Sequence, residues 1–345
     1  MSYKKAGVDE GRAASWVDKI AGLTKASSPK QMRSRIGDYA AVYELSPDHW
    51  VATACDGVGT KLLWTLEGLG SAEQLAQDLL AMNANDVLCV GAHPVLFLDY
   101  LALGNSKLLD EGQLLSKFIS ALSKVCSDNG QILAGGETAQ MPDLYEGSHF
   151  DLAGFSVGFS KASDYFDIEK VEVGDEIWGW PSSGPHANGF SWIRKSFDIK
   201  KDADFIREHL MKPTELYIRP FQELRAELKA MGASSALRTA YHMTGTGVLN
   251  LLRKQPHSWE LGFDLDQWPS EDPLWVKELI RRNPESRPEE FFKTFNMGYG
   301  FCIVFDKSFA KKESHFLKSQ GLKPLGVLKK GKSVNIRSLE IKNAD

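Results

Sequence analysis

Six consecutive residues, Asp56-Gly57-Val58-Gly59-Thr60-Lys61, leave the end of the apolar run 50–55 and bring together an acid, two glycines, a hydroxyl and a lysine. A carboxylate suits a hard cation such as Mg2+, a lysine suits a phosphate, and glycines let a backbone turn tightly against a ligand. The spacing is not that of a P-loop, GxxxxGK[ST] opening a helix. By itself the hexapeptide is equally well a glycine turn with a surface lysine.

Other segments add to it. Gly135-Gly136-Glu137-Thr138 follows the apolar run 132–134. Paired glycines after a strand offer N–H groups to an anion, although a plain strand-to-turn transition has the same composition. Asn83-Ala84-Asn85-Asp86 sets an acid among Met82, Val87, Leu88 and Val90. A carboxylate drawn inward there needs a partner or a metal, and the polar side of a half-exposed helix is the competing account. Ser182-Ser183-Gly184-Pro185-His186-Ala187-Asn188-Gly189 supplies hydroxyls, an imidazole and an amide between glycines. A histidine in such a turn, among small polar residues, points to function more than to packing. Asp38 before the strand-like run 40–45, and Met243-Thr244-Gly245-Thr246-Gly247, are weaker signals of the same kind. Asp38, Asp56, Asp86 and Glu137 thus supply acids, Lys4, Lys5 and Lys61 cations, and separate glycine turns phosphate-sized nests. The combination predicts a nucleotide held through Mg2+ by several loops.

One literal motif is rejected. Gly326-Val327-Leu328-Lys329-Lys330-Gly331-Lys332-Ser333 fits GxxxxGK[ST], but residues 334–341 alternate like a strand. A P-loop must open a helix, because the phosphate sits on the helix N-terminus. The segment reads as a terminal hairpin.

The elements that must carry these residues follow from periodicity. Helices are predicted over 10–25, 72–90 and 110–128, and strands over 40–45, 50–55, 94–103, 131–134, 152–159 and 177–180. Charge becomes dense over 161–176, which puts a boundary between domains 1–164 and 165–345. A chain of 345 residues fits two domains of about 100–200 residues each. Intermixed strands and helices with neighbouring strands give a mixed α/β (α+β) fold class.

With 43% hydrophobic and 25% charged residues, the composition is that of a globular protein. A net charge of −4 gives no basic footprint for nucleic acid. Cys55, Cys89, Cys126 and Cys302 form no CxxC pair, which argues against structural zinc or a disulfide framework. Cys55 and Cys89 lie in apolar runs and read as small hydrophobes. No secretory h-region and no stretch near the roughly 20 apolar residues of a membrane helix is visible, so a cytoplasmic location is expected.

Taken in order, these segments resemble the phosphoribosylformylglycinamidine cyclo-ligase (aminoimidazole ribonucleotide synthetase) family. The resemblance rests on Ser2-Tyr3-Lys4…Ala6-Gly7-Val8-Asp9, the 56–62 segment, Asn85-Asp86, Phe97-Leu98-Asp99-Tyr100, Gly135–Thr138 with Met141-Pro142, Ala153-Gly154-Phe155, the 182–190 loop and Thr294-Phe295-Asn296-Met297-Gly298. Single motifs are shared with selenophosphate synthetase, thiamine-monophosphate kinase and the hydrogenase maturation dehydratase. The resemblance implies a two-domain homodimer whose N-terminal strands close a barrel across the interface. It implies ATP and Mg2+ in a cleft lined by Lys4, Asp56, Asp86 and Glu137, with His186 toward the substrate. Gly57, Gly59, Thr60, Lys61, Gly135, Gly136 and Thr138 would meet phosphates, and Ser183, Asn188, Thr244 and Gly245 the substrate. The implied reaction turns ATP and formylglycinamidine ribonucleotide into aminoimidazole ribonucleotide, ADP and phosphate.

Three departures stand out. Ile36-Gly37-Asp38-Tyr39-Ala40-Ala41-Val42 is closer to the kinase and selenophosphate branch, so Asp38 would add a metal ligand. Thr246 replaces a glycine of the family's LTGGG, and Gln140 replaces an acid. The alternatives are a divergent superfamily enzyme phosphorylating another small substrate, or a non-catalytic nucleotide-binding paralogue.

Overall fold

A computed structural model describes residues 6–24 and 29–342. An N-terminal helix, α1 (Glu10–Thr24), precedes a five-stranded sheet in the order β1-β2-β5-β3-β4. Its strands are β1 (Ala41–Ser46), β2 (His49–Gly57), β3 (His93–Leu103), β4 (Ile132–Gln140) and β5 (Phe150–Ser160). β1 and β2 form an antiparallel pair closed at Pro47-Asp48, and only β3 and β4 run parallel. That parallel pair needs a crossover, which the helix α4 (Leu114–Asp128) provides. Between β2 and β3 lie the short α2 (Lys61–Leu66) and the long α3 (Ala72–Leu88).

α3 starts at a reciprocal capping box between Ser71 and Gln74. It packs on β2 and β5 on one side and on β7 (Leu237–His242) and the helix Ile218–Ala230 on the other. A helix enclosed on both sides is buried all round, and Asp78, Asn83, Asn85 and Asp86 are accordingly buried with its leucines and alanines.

The second sheet has seven strands in the order β12-β11-β8-β10-β6-β9-β7. The remaining strands are β6 (Glu176–Pro181), β8 (Leu261–Leu265), β9 (Tyr299–Phe305), β10 (Lys323–Lys330), β11 (Val334–Ile336) and β12 (Leu339–Ile341). β9 is buried at every position, as the near-continuous apolar run of a covered central strand requires. The first sheet draws on residues 41–160 and the second on 176–341.

Several expectations are corrected. The 135–138 segment does not turn away after a short strand; it continues inside β4 beside Leu98–Leu101 of β3. The 326–333 segment is followed by a strand and not a helix, but β10 and β11 do not form a hairpin. They flank β8 instead, antiparallel and parallel respectively. The chain crosses β8 where Gly262 leaves room, since a Cβ there would lie 1.8 Å from the Gly331 carbonyl oxygen. Cys55 is exposed rather than packed, while all four cysteines are free.

Among the described residues the first sheet does not close into a barrel; β1 and β4 are its edges. Helices cover one face. The other carries Cys55 beside Phe155 and Val51 beside Phe159, with Phe155 and Phe159 40% and 47% exposed. Among the described residues no helix is long and apolar enough to cross a membrane.

Candidate functional site

Strand alternation decides which side chains can meet. Along β2, Ala52 and Ala54 point into the helix-covered face, and Asp56 continues that row. Asn83 of α3 fixes the backbone there: its Oδ1 accepts from the Asp56 N–H at 2.7 Å and its Nδ2 donates to the Asp56 carbonyl at 3.1 Å. The Gly57 N–H donates to the Asp56 carboxylate at 2.7 Å. Gly57 must be glycine, because a Cβ would sit 2.8 Å from the Leu152 carbonyl oxygen, and Gly59 adopts φ 65°.

Burial, and next the charge of Asp86, push the Asp56 carboxyl up to about 7; the Gly57 N–H and Arg253 oppose this. A cation near both carboxylates would relieve this repulsion. Among the described residues no three His, Cys, Asp or Glu side chains come together to hold a metal. Mg2+ needs only one or two carboxylates when water and nucleotide phosphates complete its shell. Asp56 and Asp86 fit that need with hard oxygen donors.

Asp86 sits in the last turn of α3, where His242 at the end of β7 reaches it, Nδ1 to Oδ1, at 2.9 Å. Asn85 lies 3.3 Å from His242 Nε2 and is tied to Glu215 and Tyr217 through their backbones. Sequence reasoning missed His242. Its signal was its place, one residue before the Met243–Gly247 turn already singled out.

Other expected ligands are elsewhere. Lys61 turns inward: its Nζ lies 2.7 Å from Asp78 Oδ2 and donates to the Lys212 carbonyl at 2.8 Å, and the residue is 1% exposed. Burial pulls its ammonium down from the usual range, with Asp78 opposing. In this structure the lysine is a strut, its ammonium engaged by Asp78 and the Lys212 carbonyl rather than facing the glycine turn. Asp38 caps its own turn, accepting from the Arg35 N–H at 2.7 Å, and does not join Asp56 and Asp86. Glu137 pairs across from Tyr100, on the open face, three strand spacings or roughly 14 Å from Gly57 and on the opposite side from Asp56. It cannot share an ion with Asp56 of the same chain. Gly136 makes room for a carboxylate of the protein, its Cβ position lying 2.4 Å from Asp99 Oδ1. Thr138 is exposed in β4. Lys4 and Lys5 lie outside the described residues.

The 182–189 loop precedes the helix α5 (Phe190–Ser196). His186 is fully buried at φ 60°, and neither ring nitrogen has a hydrogen-bond partner. Its ring packs 6.4 Å from that of His242 and 6.3 Å from Tyr217. Burial, then His242 and Lys61, hold its pKa well below the usual value. The imidazole expected to face the substrate is a fully buried ring beside His242, with its pKa held low by burial. Ser183 donates to the Pro213 carbonyl, and Asn188 Nδ2 is buried without a partner. Thr60 meets Ser191 at 3.2 Å, linking the β2 loop to α5. Thr244 is buried, whereas Gly245 is exposed. Thr246 takes φ 67°, so the position does need the left-handed region, and a threonine fills it.

Residues 37–160 match the family described as AIR synthase related protein, N-terminal domain. Solved structures extend the likeness to nearly the whole chain. Thiamine monophosphate kinase from Aquifex aeolicus aligns with TM-score 0.64 and 13% identity over 95% of this chain and 99% of that one. A chain of the HypE–HypF complex aligns with TM-score 0.64 and 14% identity over 93% and 97%. T. maritima PurL complexed with FGAR aligns with TM-score 0.58 and 16% identity over 90% of this chain and 47% of that one. Residues 37–160 are thus similar to that family, and over nearly its whole length the chain has a fold like that of these proteins. At such identities the structural likeness defines the fold alone.

Proposed function

We propose that this chain uses ATP, held through Mg2+ at Asp56 and Asp86, to phosphorylate an oxygen of a small substrate, and that this substrate is formylglycinamidine ribonucleotide. The observation that carries the nucleotide reading is Asp56 at the end of β2, its carboxylate accepting from the Gly57 N–H and feeling the charge of Asp86 in α3. Relatives of the same fold support it: a thiamine monophosphate kinase was solved with AMPPCP and TMP, and T. maritima PurL with AMPPCP and with ADP. When bound, Mg2+ would offset phosphate charge. Gly59 and Thr60 would orient the phosphates through N–H and hydroxyl donors, while Gly57, its N–H held by Asp56, lets the backbone approach them. Ser183, Asn188, Thr244 and Gly245 would face the ribonucleotide. Phosphorylation makes the formamide oxygen a leaving group, and the amidine nitrogen of the same molecule closes the ring, helped by proximity. The SYKxAGVD opening and the SSGPHxNG loop support the cyclo-ligase as the particular activity.

A second reading is phosphorylation of another small compound. The comparisons favour this breadth, since the named relatives handle different compounds, and the 36–42 segment leans the same way. A colorimetric assay for aminoimidazole ribonucleotide, with ATP, Mg2+ and formylglycinamidine ribonucleotide, separates the two. Product that vanishes in Asp56→Asn supports the cyclo-ligase. ATP binding without product moves the assignment to the second reading.

The open sheet face belongs to the same proposal. Phe155, Phe159 and the two free edges suit a second copy of the chain. Light scattering is expected to give a dimer for the wild type and a monomer for Phe159→Asp, and a monomeric wild type refutes it.

A further inference from the structure

Asp86 has two carboxylate oxygens, and the structure treats them differently. Oδ1 meets His242 Nδ1 at 2.9 Å; Oδ2 accepts no bond from any described residue. Whether Nδ1 donates depends on what the other ring nitrogen faces. Asn85 settles this. Its Oδ1 accepts the Tyr217 N–H at 3.1 Å and its Nδ2 donates to the Glu215 carbonyl at 2.9 Å, so its amide cannot be flipped without losing both. The group facing His242 Nε2 is therefore an N–H, at 3.3 Å. Nε2 must accept and Nδ1 must donate. His242, at the end of β7, is fully buried against Asp86 of α3.

We propose that His242 is a positioning residue for the nucleotide-bound divalent cation: the Asn85-oriented ring holds Asp86 by Oδ1 and leaves Oδ2 to the metal. This rests on the reading of Asp56 and Asp86 as the cation site. A chain of carbonyl, amide, imidazole and carboxylate thus runs from the 215–217 segment to the metal. Partners behind a metal ligand of this kind are worth about 10- to 100-fold in metal affinity.

The test is Mn2+ binding to the full chain with AMPPCP, followed by electron paramagnetic resonance. His242→Asn keeps an N–H near the Nδ1 position; His242→Gln moves it toward Nε2. Mn2+ affinity is expected to fall about 10-fold or more in His242→Gln and to stay within about threefold of wild type in His242→Asn. Asn85→Ser, which removes the Nε2 partner and leaves the ring, provides a second route if a His242 variant fails to fold, with an expected loss between those two. Metal-free AMPPCP affinity is expected to be unchanged throughout. Equal Mn2+ affinity in all variants, or equal losses in His242→Asn and His242→Gln, overturns the positioning role while leaving the cation site intact. A wild type that binds no Mn2+ with AMPPCP overturns the cation reading and this inference together.

Discussion

Asp56→Asn is expected to abolish turnover and, at the same time, to make the protein more stable at pH 8. Both follow from one geometry. Asp56 is held in a part-buried place beside Asp86, and burial with that neighbouring charge pushes its carboxyl up to about 7. A carboxyl whose folded value is raised binds its proton more tightly in the native state than in the unfolded chain. Its contribution is therefore fully present below about 4, the unfolded value, and is lost as pH rises through about 7. Above that, the ionised pair weighs against folding by about 2 kcal/mol, allowing for the water that Asp56 still meets. Asparagine keeps the shape and removes the charge. The difference in unfolding free energy between variant and wild type, from urea titrations without divalent cation, should grow in favour of the variant between pH 4 and 7 and then level off. Turnover should fall by about two orders of magnitude or more, because phosphate charge loses its offset. A variant no more stable than wild type at pH 8 refutes the strained pair; an active one refutes the site.

How much of this was legible in the sequence depends on whether a residue's role was local. The ends of β2 and α3 were readable, because apolar periodicity outlines both elements and Asp56 and Asp86 interrupt it. Asp38 misled because the same residue type that ligates a metal also caps a turn, and the Arg35 N–H is three residues away. Glu137 misled for another reason. Glycines at 135 and 136 read as a turn, whereas they lie in β4, one of them to clear Asp99. Continuing the strand at a period of two from Leu133 would still have put Glu137 on the covered face; the register shift at Ala134, where Leu133 faces Phe97 but Gly135 faces Leu98, turns Glu137 to the open one. His242 and its link to Asp86 span 156 residues, and no pattern in either segment announces the other. The 326–333 motif shows the converse: a perfect letter match fails because a strand, not a helix, follows.

Lys61→Met is expected to lower the unfolding free energy by about 3–5 kcal/mol, the cost of leaving one member of a buried ion pair uncompensated. A lysine that served only to meet phosphate would instead cost activity with little stability. Asp78 Oδ1 accepts from Lys61 and from both the N–H and the hydroxyl of Thr214, at 2.9, 2.7 and 2.6 Å. Oδ2 faces Lys61 alone. Without the ammonium, a carboxylate inside α3 keeps neutral donors on one oxygen and none on the other. The strut also ties the start of α2 to the Lys212 carbonyl, so the loop Asp56–Thr60 is anchored by the residue that ends it. Removing Asp78's charge as well should restore much of the loss: in Lys61→Met with Asp78→Asn, the amide oxygen can still accept from Thr214 while no buried charge remains. Buried pairs commonly behave this way, costly to break singly and cheap to replace together. Urea unfolding of the two single variants and the double variant gives the coupling directly. Recovery of more than half the Lys61→Met loss in the double variant supports the strut. A double variant as unstable as the sum of the singles would mean that the two side chains act separately, and the phosphate role of Lys61 would have to be reopened.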